Sequence, residues 1–410
     1  MNIWLIQTSE ALPIDLYARK LRTSLLADTL VNRGHKVTWW ASSFNHLKKE
    51  WYFQDDVDIR LSNQLLIKVL HGIGYKKNTS LFRLIDHRIL SWKFRRFARA
   101  EKKPDLIVCS LPSYDLAWQA MRYANLINIP LVIDIRDQWP DNFLDIFPKR
   151  LKKLGRILLA HEFNLVREAL VGSAALISIT DSLLEWGLNY CGHAVRDNDR
   201  VFHLGFSRGV VTEAEQITDK FKSFSNDFPN FFVVTFIGTF GKYHDPSIVI
   251  ECARRLVNHD IVFVLGGAGE LDVELRNSAT GLKNIVFVGW LNANETIRLL
   301  RLSDVGVCSA GVSGNKKFFP NKVFSYWAEG LPVASAFSGE LFNVIDTNDV
   351  GFNYDSLNEL EAGILNLMYN RERYNHQSNN ARALFDSTYD ANIIYENYAN
   401  HLESIVGSYK

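Results

Sequence analysis

GNKKFFPNKVFSYWAEGLPVAS, residues 314–335, carries the signals that decide how this chain folds. A helix starting at Pro320 or Asn321 would place Val323, Phe324 and Trp327 on its buried side and stop at Gly330, ahead of Pro332. VGVCSA before it and PVASAF after it read as strands, so the helix connects two of them. The free N–H groups of such a helix start point toward the crevice beyond the strand ends, where Lys322 adds a point charge suited to a pyrophosphate. The plainer reading is a surface lysine on a capped helix.

The same alternation runs through the rest of the chain. NIWLIQ, KVTWWAS, DLIVCS, PLVIDIR, ALISIT and RVFHLG are strand candidates in the first half; FVVTFIG, IVFVLGG, IVFVGW, VGVCSA, PVASAF and GFNYD follow in the second. Continuous apolar strands separated by helical patterns predict parallel sheets covered on both faces. At 410 residues two domains are expected. The polar stretch 206–230 is the best boundary, giving a first domain over 1–205 and a second over 231–385. Residues 386–410 then form a helix packing back toward the first domain. Ligands of doubly wound sheets sit beyond the carboxyl ends of the strands, so a ligand held between the two domains is the expectation.

Composition narrows the function. With 47% hydrophobic and 22% charged residues the chain is of ordinary globular type. Cys109, Cys191, Cys252 and Cys308 are far apart, which favours free thiols over a disulfide frame or zinc site. MNIWLIQTSE reads as a first strand and no apolar run has spanning length, so a cytoplasmic location is expected. The net charge of +1 hides an asymmetry: residues 1–205 carry 29 Lys and Arg against 21 Asp and Glu. The excess concentrates in residues 68–103, with eleven basic residues against Asp86 and Glu101. Lys76, Lys77, Arg95, Arg96 and Arg99 are the candidates to face an anionic bilayer. A solvated helix surface is the alternative, and no nucleic-acid-binding module accompanies the charge.

Several stretches can carry chemistry. FVVTFIGTFGKYHD places Gly238, Thr239 and Gly241 after a strand, where backbone amides can approach an anion, with Lys242 nearby. FVLGGAGE does the same with Gly266, Gly267 and Gly269. In NIVFVGWLNANE, Trp290 follows Gly289 at a strand end, either against a nucleobase or as a half-buried core residue. PLVIDIRDQWPDN sets Asp134, Arg136, Asp137, Trp139 and Asp141 at a strand end, where a carboxylate could take a proton from a hydroxyl or pair with Arg136 to fix the loop. No Asp-x-Asp cluster or His/carboxylate set stands out, so neither a metal nor another cofactor is expected.

In order along the chain, LADTLVNRGHKVTWWASSFNH, PDLIVCSLP, PLVIDIRDQWPD, FIGTFG, LGGAGE, NIVFVGW, SDVGVCSA and PNKVFSYWAEGLPVAS resemble family four of the retaining glycosyltransferases. That resemblance implies the GT-B fold, two Rossmann-like domains facing each other across a cleft. VTWWASSFNH and DIRDQWPD are similar to the bacterial surface-polysaccharide branch. The resemblance implies donor diphosphate binding at Asn321 and Lys322, a nucleobase near Trp290 and Leu291, and a catalytic or acceptor-orienting role for Asp137. Lys322 would also stabilise the leaving diphosphate. The glutamate the family places after the helix start is Ser325 here, the earlier one is Lys317, and the first loop, SEALPIDLYARK, lacks the family's glycines.

The implied activity is a hexosyl transfer from a nucleotide sugar to a polyprenyl-diphosphate-linked glycan of an O-antigen or capsule, with anomeric retention, at the inner face of the cell membrane. A catalytically inactive, glycan-binding partner subunit is the alternative that Ser325 and Lys317 keep open.

Overall fold

The computed structural model describes residues 1–14, 20–46, 48–77, 80–208, 227–241, 243–311 and 319–409. The chain divides into two units, one of residues 1–204 with 394–410 and one of residues 205–393.

Unit 1 begins with β1 (Asn2–Ile6), α1 (Arg22–Asn32), β2 (Lys36–Ser42), the small hairpin β3 (Phe44–Asn45) and β4 (Glu50–Trp51), β5 (Val57–Arg60) and β6 (Leu65–Leu70). It continues with α2 (Leu81–Ala98), β7 (Leu106–Ser110), α3 (Tyr114–Ile127), β8 (Leu131–Ile135), α4 (Lys152–Leu158), α5 (Ala160–Val171), β9 (Ala175–Ser178), α6 (Asp181–Cys191) and β10 (Arg200–Val201). The sheet order is β10-β9-β8-β7-β1-β2-β6-β5, with β5 antiparallel to β6. The order reverses at β1, so the crevice lies beyond the carboxyl ends of β1 and β7.

Period-two alternation explains the paired tryptophans of β2. Trp40 faces the layer of α2 and α3, meeting Trp4 at 5.2 Å and Phe94 at 5.0 Å, while Trp4 stacks on Tyr123 at 5.4 Å. Trp39 points to the opposite face and donates from its indole to the Gln7 carbonyl at 2.9 Å.

Strand β6 escapes the sequence reading because Lys68 interrupts its apolar run. That lysine is buried, with its amine on Asp58 and Glu101 at 2.7 Å each. It therefore belongs to the packing of the sheet and not to a basic face.

Unit 2 holds β11 (Phe232–Ile237), α7 (Ser247–Arg255), β12 (Ile261–Gly266), α8 (Asp272–Ser278), β13 (Ile285–Gly289), α9 (Ala293–Arg301) and β14 (Val305–Cys308). After these come α10 (Lys322–Ala328), β15 (Val333–Ser335), α11 (Glu340–Asn348), β16 (Gly351–Asn353), α12 (Leu357–Tyr369) and α13 (Arg371–Leu384). Its sheet, β13-β12-β11-β14-β15-β16, is wholly parallel and reverses between β11 and β14. The unit runs to Ile393, past the boundary expected at 385, because Phe385 and Tyr389 pack within it. Tyr389 lies 5.0 Å from Phe324 and 5.4 Å from Trp327. Of the expected linker, residues 209–226 lie outside the described residues.

The last helix, α14 (Ala391–Ser408), returns the chain to unit 1. Tyr398 stacks on Phe202 at 4.7 Å, and Arg33 grips Glu403 through two nitrogens at 3.0 and 2.7 Å.

Candidate functional site

At the carboxyl end of β11 the chain turns at Gly238, and at the end of β12 it turns at Gly267. These turns interlock: the Gly238 amide donates to the Gly266 carbonyl at 2.9 Å, and Phe240 donates to Ala268 at 3.0 Å. A Cβ on Gly267 would lie 1.9 Å from the Gly238 carbonyl oxygen. No side chain fits there, and both glycines have positive φ, +132° and +155°. The Gly238 constraint has a second source. A Cβ at this position would meet the Lys322 amine at 3.1 Å.

Lys322 opens α10, the helix that follows β14 across the point where the sheet order reverses. The helix carries its amine to Gly238 and onto the Phe236 ring, 3.6 Å from the centroid. The ammonium is buried and has no hydrogen-bond partner among the described residues. Burial pushes its pKa down from 10.5 to about 8. His244, lowered to about 4 by burial and then by the Lys322 charge, stays neutral beside it. Tyr326 pins the floor, accepting from the Ile237 amide at 3.1 Å and donating to the Val307 carbonyl at 3.3 Å. The result is a buried cation beside two glycine turns at a topological switch point, an arrangement that suits a phosphorylated ligand.

The helix start itself is weaker than the sequence suggests. Asn321 has helical backbone angles and makes no side-chain cap bond, and α10 has only 7 residues. The amine supplies the positive charge more than the helix dipole does. Asn321 and Thr239 are exposed, as is Gly269. Ser325, three residues after Lys322, shares its side of α10 and is buried. Trp290 is 67% exposed, so it is not the half-buried core residue of the alternative reading. Leu291 lies against the Gly266 backbone, where a Cβ would approach its Cδ1 to 2.6 Å. Lys242 and Lys317 lie outside the described residues.

In unit 1, Asp137 accepts three hydrogen bonds. Its Oδ1 takes the Gln138 amide at 2.8 Å and the Asn142 side chain at 2.7 Å, and its Oδ2 takes the Trp139 indole at 2.7 Å. These donors make it the hub of its loop. Arg136 does not pair with it, and binds Asp134 at 2.8 Å and Glu10 at 3.0 Å. Asp134 is fully buried; burial opposes its ionisation, but Arg22 and Arg136 outweigh that and hold its carboxyl below the usual range.

Glu10 explains the missing glycines of the first loop. Its carboxylate accepts from the Thr23 and Ser24 amides at 2.9 and 3.0 Å, so an internal anion occupies the start of α1.

Around Asp137 the structure gathers residues that sequence reading passed over. The Arg83 guanidinium lies 4.4 Å above Trp139 and 5.6 Å from Tyr75, whose hydroxyl meets His46 Nδ1 at 2.6 Å. Burial, then the charges of Arg83 and Lys49, lower His46 to about 4. Arg83 belongs to the basic run read as outward-facing, yet it is buried, and nothing in the sequence joins His46 to Tyr75. Among the described residues, no group of three or more His, Cys, Asp or Glu could hold a metal ion. The five basic candidates Lys76, Lys77, Arg95, Arg96 and Arg99 are all exposed.

Residues 232–370 match the family described as Glycosyl transferases group 1. No curated protein matches the chain. Among solved structures, HepE from Anabaena in complex with UDP is 16% identical, with a TM-score of 0.65 over 98% of this chain and 99% of that one. Sucrose-phosphate synthase from Thermosynechococcus elongatus is 14% identical, with a TM-score of 0.70 over 100% of both chains. A structure described as trehalose-6-phosphate from E. coli bound with UDP-2-fluoro glucose is 10% identical, with a TM-score of 0.70 over 98% and 99%. At such identities the likeness is one of fold. The chain therefore has the two-domain α/β fold of GT-B type, and its second unit contains the stretch that is similar to the glycosyl transferases group 1 family.

Proposed function

We propose that the chain is a retaining glycosyltransferase whose second unit binds a nucleoside-diphosphate sugar beyond β11, β12 and β14. The observation that carries this reading is the buried ammonium of Lys322 beside Gly238, which has no hydrogen-bond partner among the described residues. The matched family of unit 2 supports it, and the similar Anabaena structures held with UDP, UDP and glucose, and UDP-glucose make a UDP-sugar the first donor to test.

In the reaction, the bond between the anomeric carbon and the diphosphate oxygen breaks, and a bond from that carbon to the acceptor oxygen forms on the same face. The acceptor hydroxyl proton passes to the departing diphosphate oxygen. Lys322 stabilises the charge growing on that oxygen, with the Gly238 turn alongside, and Trp290 and Leu291 flank the base. Ser325 serves the donor ribose. Asp137, held by three donors of its own loop, orients the Trp139 loop for the acceptor. The acceptor is a polyprenyl-diphosphate-linked glycan of bacterial surface polysaccharide, met at the cytoplasmic face of the membrane.

A panel of sugar nucleotides with a lipid-linked acceptor, scored by nucleotide release and mass spectrometry of the lipid, tests the reading. Turnover by the natural chain and its loss in Lys322→Ala are expected. Undiminished turnover in Lys322→Ala would overturn the assignment. Donor binding without release of nucleotide would favour the inactive partner subunit, for which Ser325, in place of a charge-accepting glutamate, is the argument.

A further inference from the structure

Helix α2 is built inside out over its first two turns. A surface helix buries its apolar stripe and exposes its charges. Here Arg83, Asp86 and His87 are buried, while Leu81 is 75% exposed and Phe82 64%. Ile85 and Trp92 continue the outward stripe at helical spacing, and Trp92 is 57% exposed. The inward charges have uses: Asp86 accepts from the Ile73 and Gly74 amides, and Arg83 stacks on Trp139 beside Asp137. Nothing in the described chain covers the outward apolar residues.

Further along the helix the outward face becomes basic. Arg95, Arg96 and Arg99 are exposed and make no ion pair among the described residues, and Arg96 lies 5.9 Å from the Trp92 ring. Other cations of the basic run are engaged: Arg88 pairs with Glu162 on α5, and Lys93 with Asp56. The Arg88 pair ties α2 to α5, the helix that follows α4. Ile157 and Leu158 of α4 are also exposed, at 70% and 68%.

We infer that unit 1 docks on an anionic lipid bilayer through the outward faces of α2 and α4, with the apolar side chains in the acyl boundary and the arginines among lipid phosphates. A helix with an apolar and a basic sector on one face lies in the plane of such an interface, and an arginine-flanked tryptophan belongs at its polar edge. A second copy of this chain fits poorly, since a two-fold contact would bring Arg95, Arg96 and Arg99 against the same cluster. This deepens the proposed function and rests on its lipid-linked acceptor, because the face of α2 opposite the bilayer carries the Arg83–Trp139–Asp137 group.

The test is cosedimentation of the full chain with vesicles of phosphatidylcholine alone, or mixed equally with phosphatidylglycerol, at low and high salt. The natural chain is expected to pellet with the mixed vesicles and be only partly released by salt. Arg95→Ser, Arg96→Ser and Arg99→Ser together should weaken binding on the order of 100-fold. Leu81→Ser, Phe82→Ser and Trp92→Ser together should leave binding at low salt that high salt abolishes. Circular dichroism and thermal melts report folding of both variants without involving the patch.

A chain that stays in the supernatant with mixed vesicles overturns the inference, as do variants that bind like the natural chain. So does a dimer that the apolar variant converts to monomer without any lipid binding, which would assign the patch to a second copy. Vesicle binding without sugar transfer upholds the docking face and sinks the transferase, and transfer to a detergent-dispersed acceptor without vesicle binding does the reverse.

Discussion

Lys322 keeps a positive charge where water has been removed and no described carboxylate replaces it. The unfolded amine titrates near 10.5 and the folded one near 8, so between these values the unfolded chain binds the extra proton. Stability therefore rises with pH through that window, and below it the full penalty applies. Lys322→Met should raise unfolding stability at neutral pH by on the order of 3 kcal/mol while abolishing donor binding. Denaturant melts at pH 7 and calorimetry with UDP-glucose measure the two effects.

A bound diphosphate favours the charged amine, so binding just above pH 8 should take up a proton and affinity should fall as pH rises further. Titrations in buffers of different ionisation enthalpy count that proton. Gly238→Ala meets both a positive φ and the amine, so donor binding should be lost, with a stability cost of about 1–3 kcal/mol.

At the scale of elements, α10 shows what sequence can and cannot carry. Its buried Val323, Phe324 and Trp327 were legible from spacing, as was its end at Gly330. Spacing could not reveal that the helix is two turns long, because its start depends on how Pro320 closes the first turn with the Val323 amide at 3.1 Å. Nor could it show Tyr326 as a strut between β11 and β14, since both partners are backbone groups far away in sequence. Tyr326→Phe should cost about 1 kcal/mol and loosen Gly238, read as weaker donor affinity. Trp327→Ala, among Phe319, Phe324 and Tyr389, should cost about 3–5 kcal/mol in a thermal or denaturant melt.

In the first unit the strand runs of β1, β2, β7, β8 and β9 were plain, because each is short and dominated by β-branched, aromatic and other apolar residues. β6 was hidden by a lysine whose two carboxylate partners come from β5 and the end of the α2 connection. The role of Asp137 was open in the sequence for a different reason: its three donors are local, and which neighbours turn toward it depends on how the loop folds.

On the scale of the whole molecule, the return of α14 completes unit 1. Arg33, through its hydrogen bonds, pulls the Glu403 pKa down to about 2. A depressed carboxylate adds stability above its unfolded value and loses it as pH falls toward 2, though this partly exposed pair contributes under about 1 kcal/mol. Apolar burial holds the helix more firmly than this ion pair does. Tyr398, Leu402 and Ile405 are fully buried. Ending the chain at Ile393 should therefore lower the melting transition of unit 1 and leave that of unit 2 in place, as differential scanning calorimetry would resolve.

The first unit is thus stitched from two stretches separated by the whole of the second. A gene severed between codons 208 and 227 would yield one polypeptide missing its closing helix and another bringing that helix on its tail. Expressed together, the halves carry a built-in docking handle, and an affinity tag on either one should retrieve both.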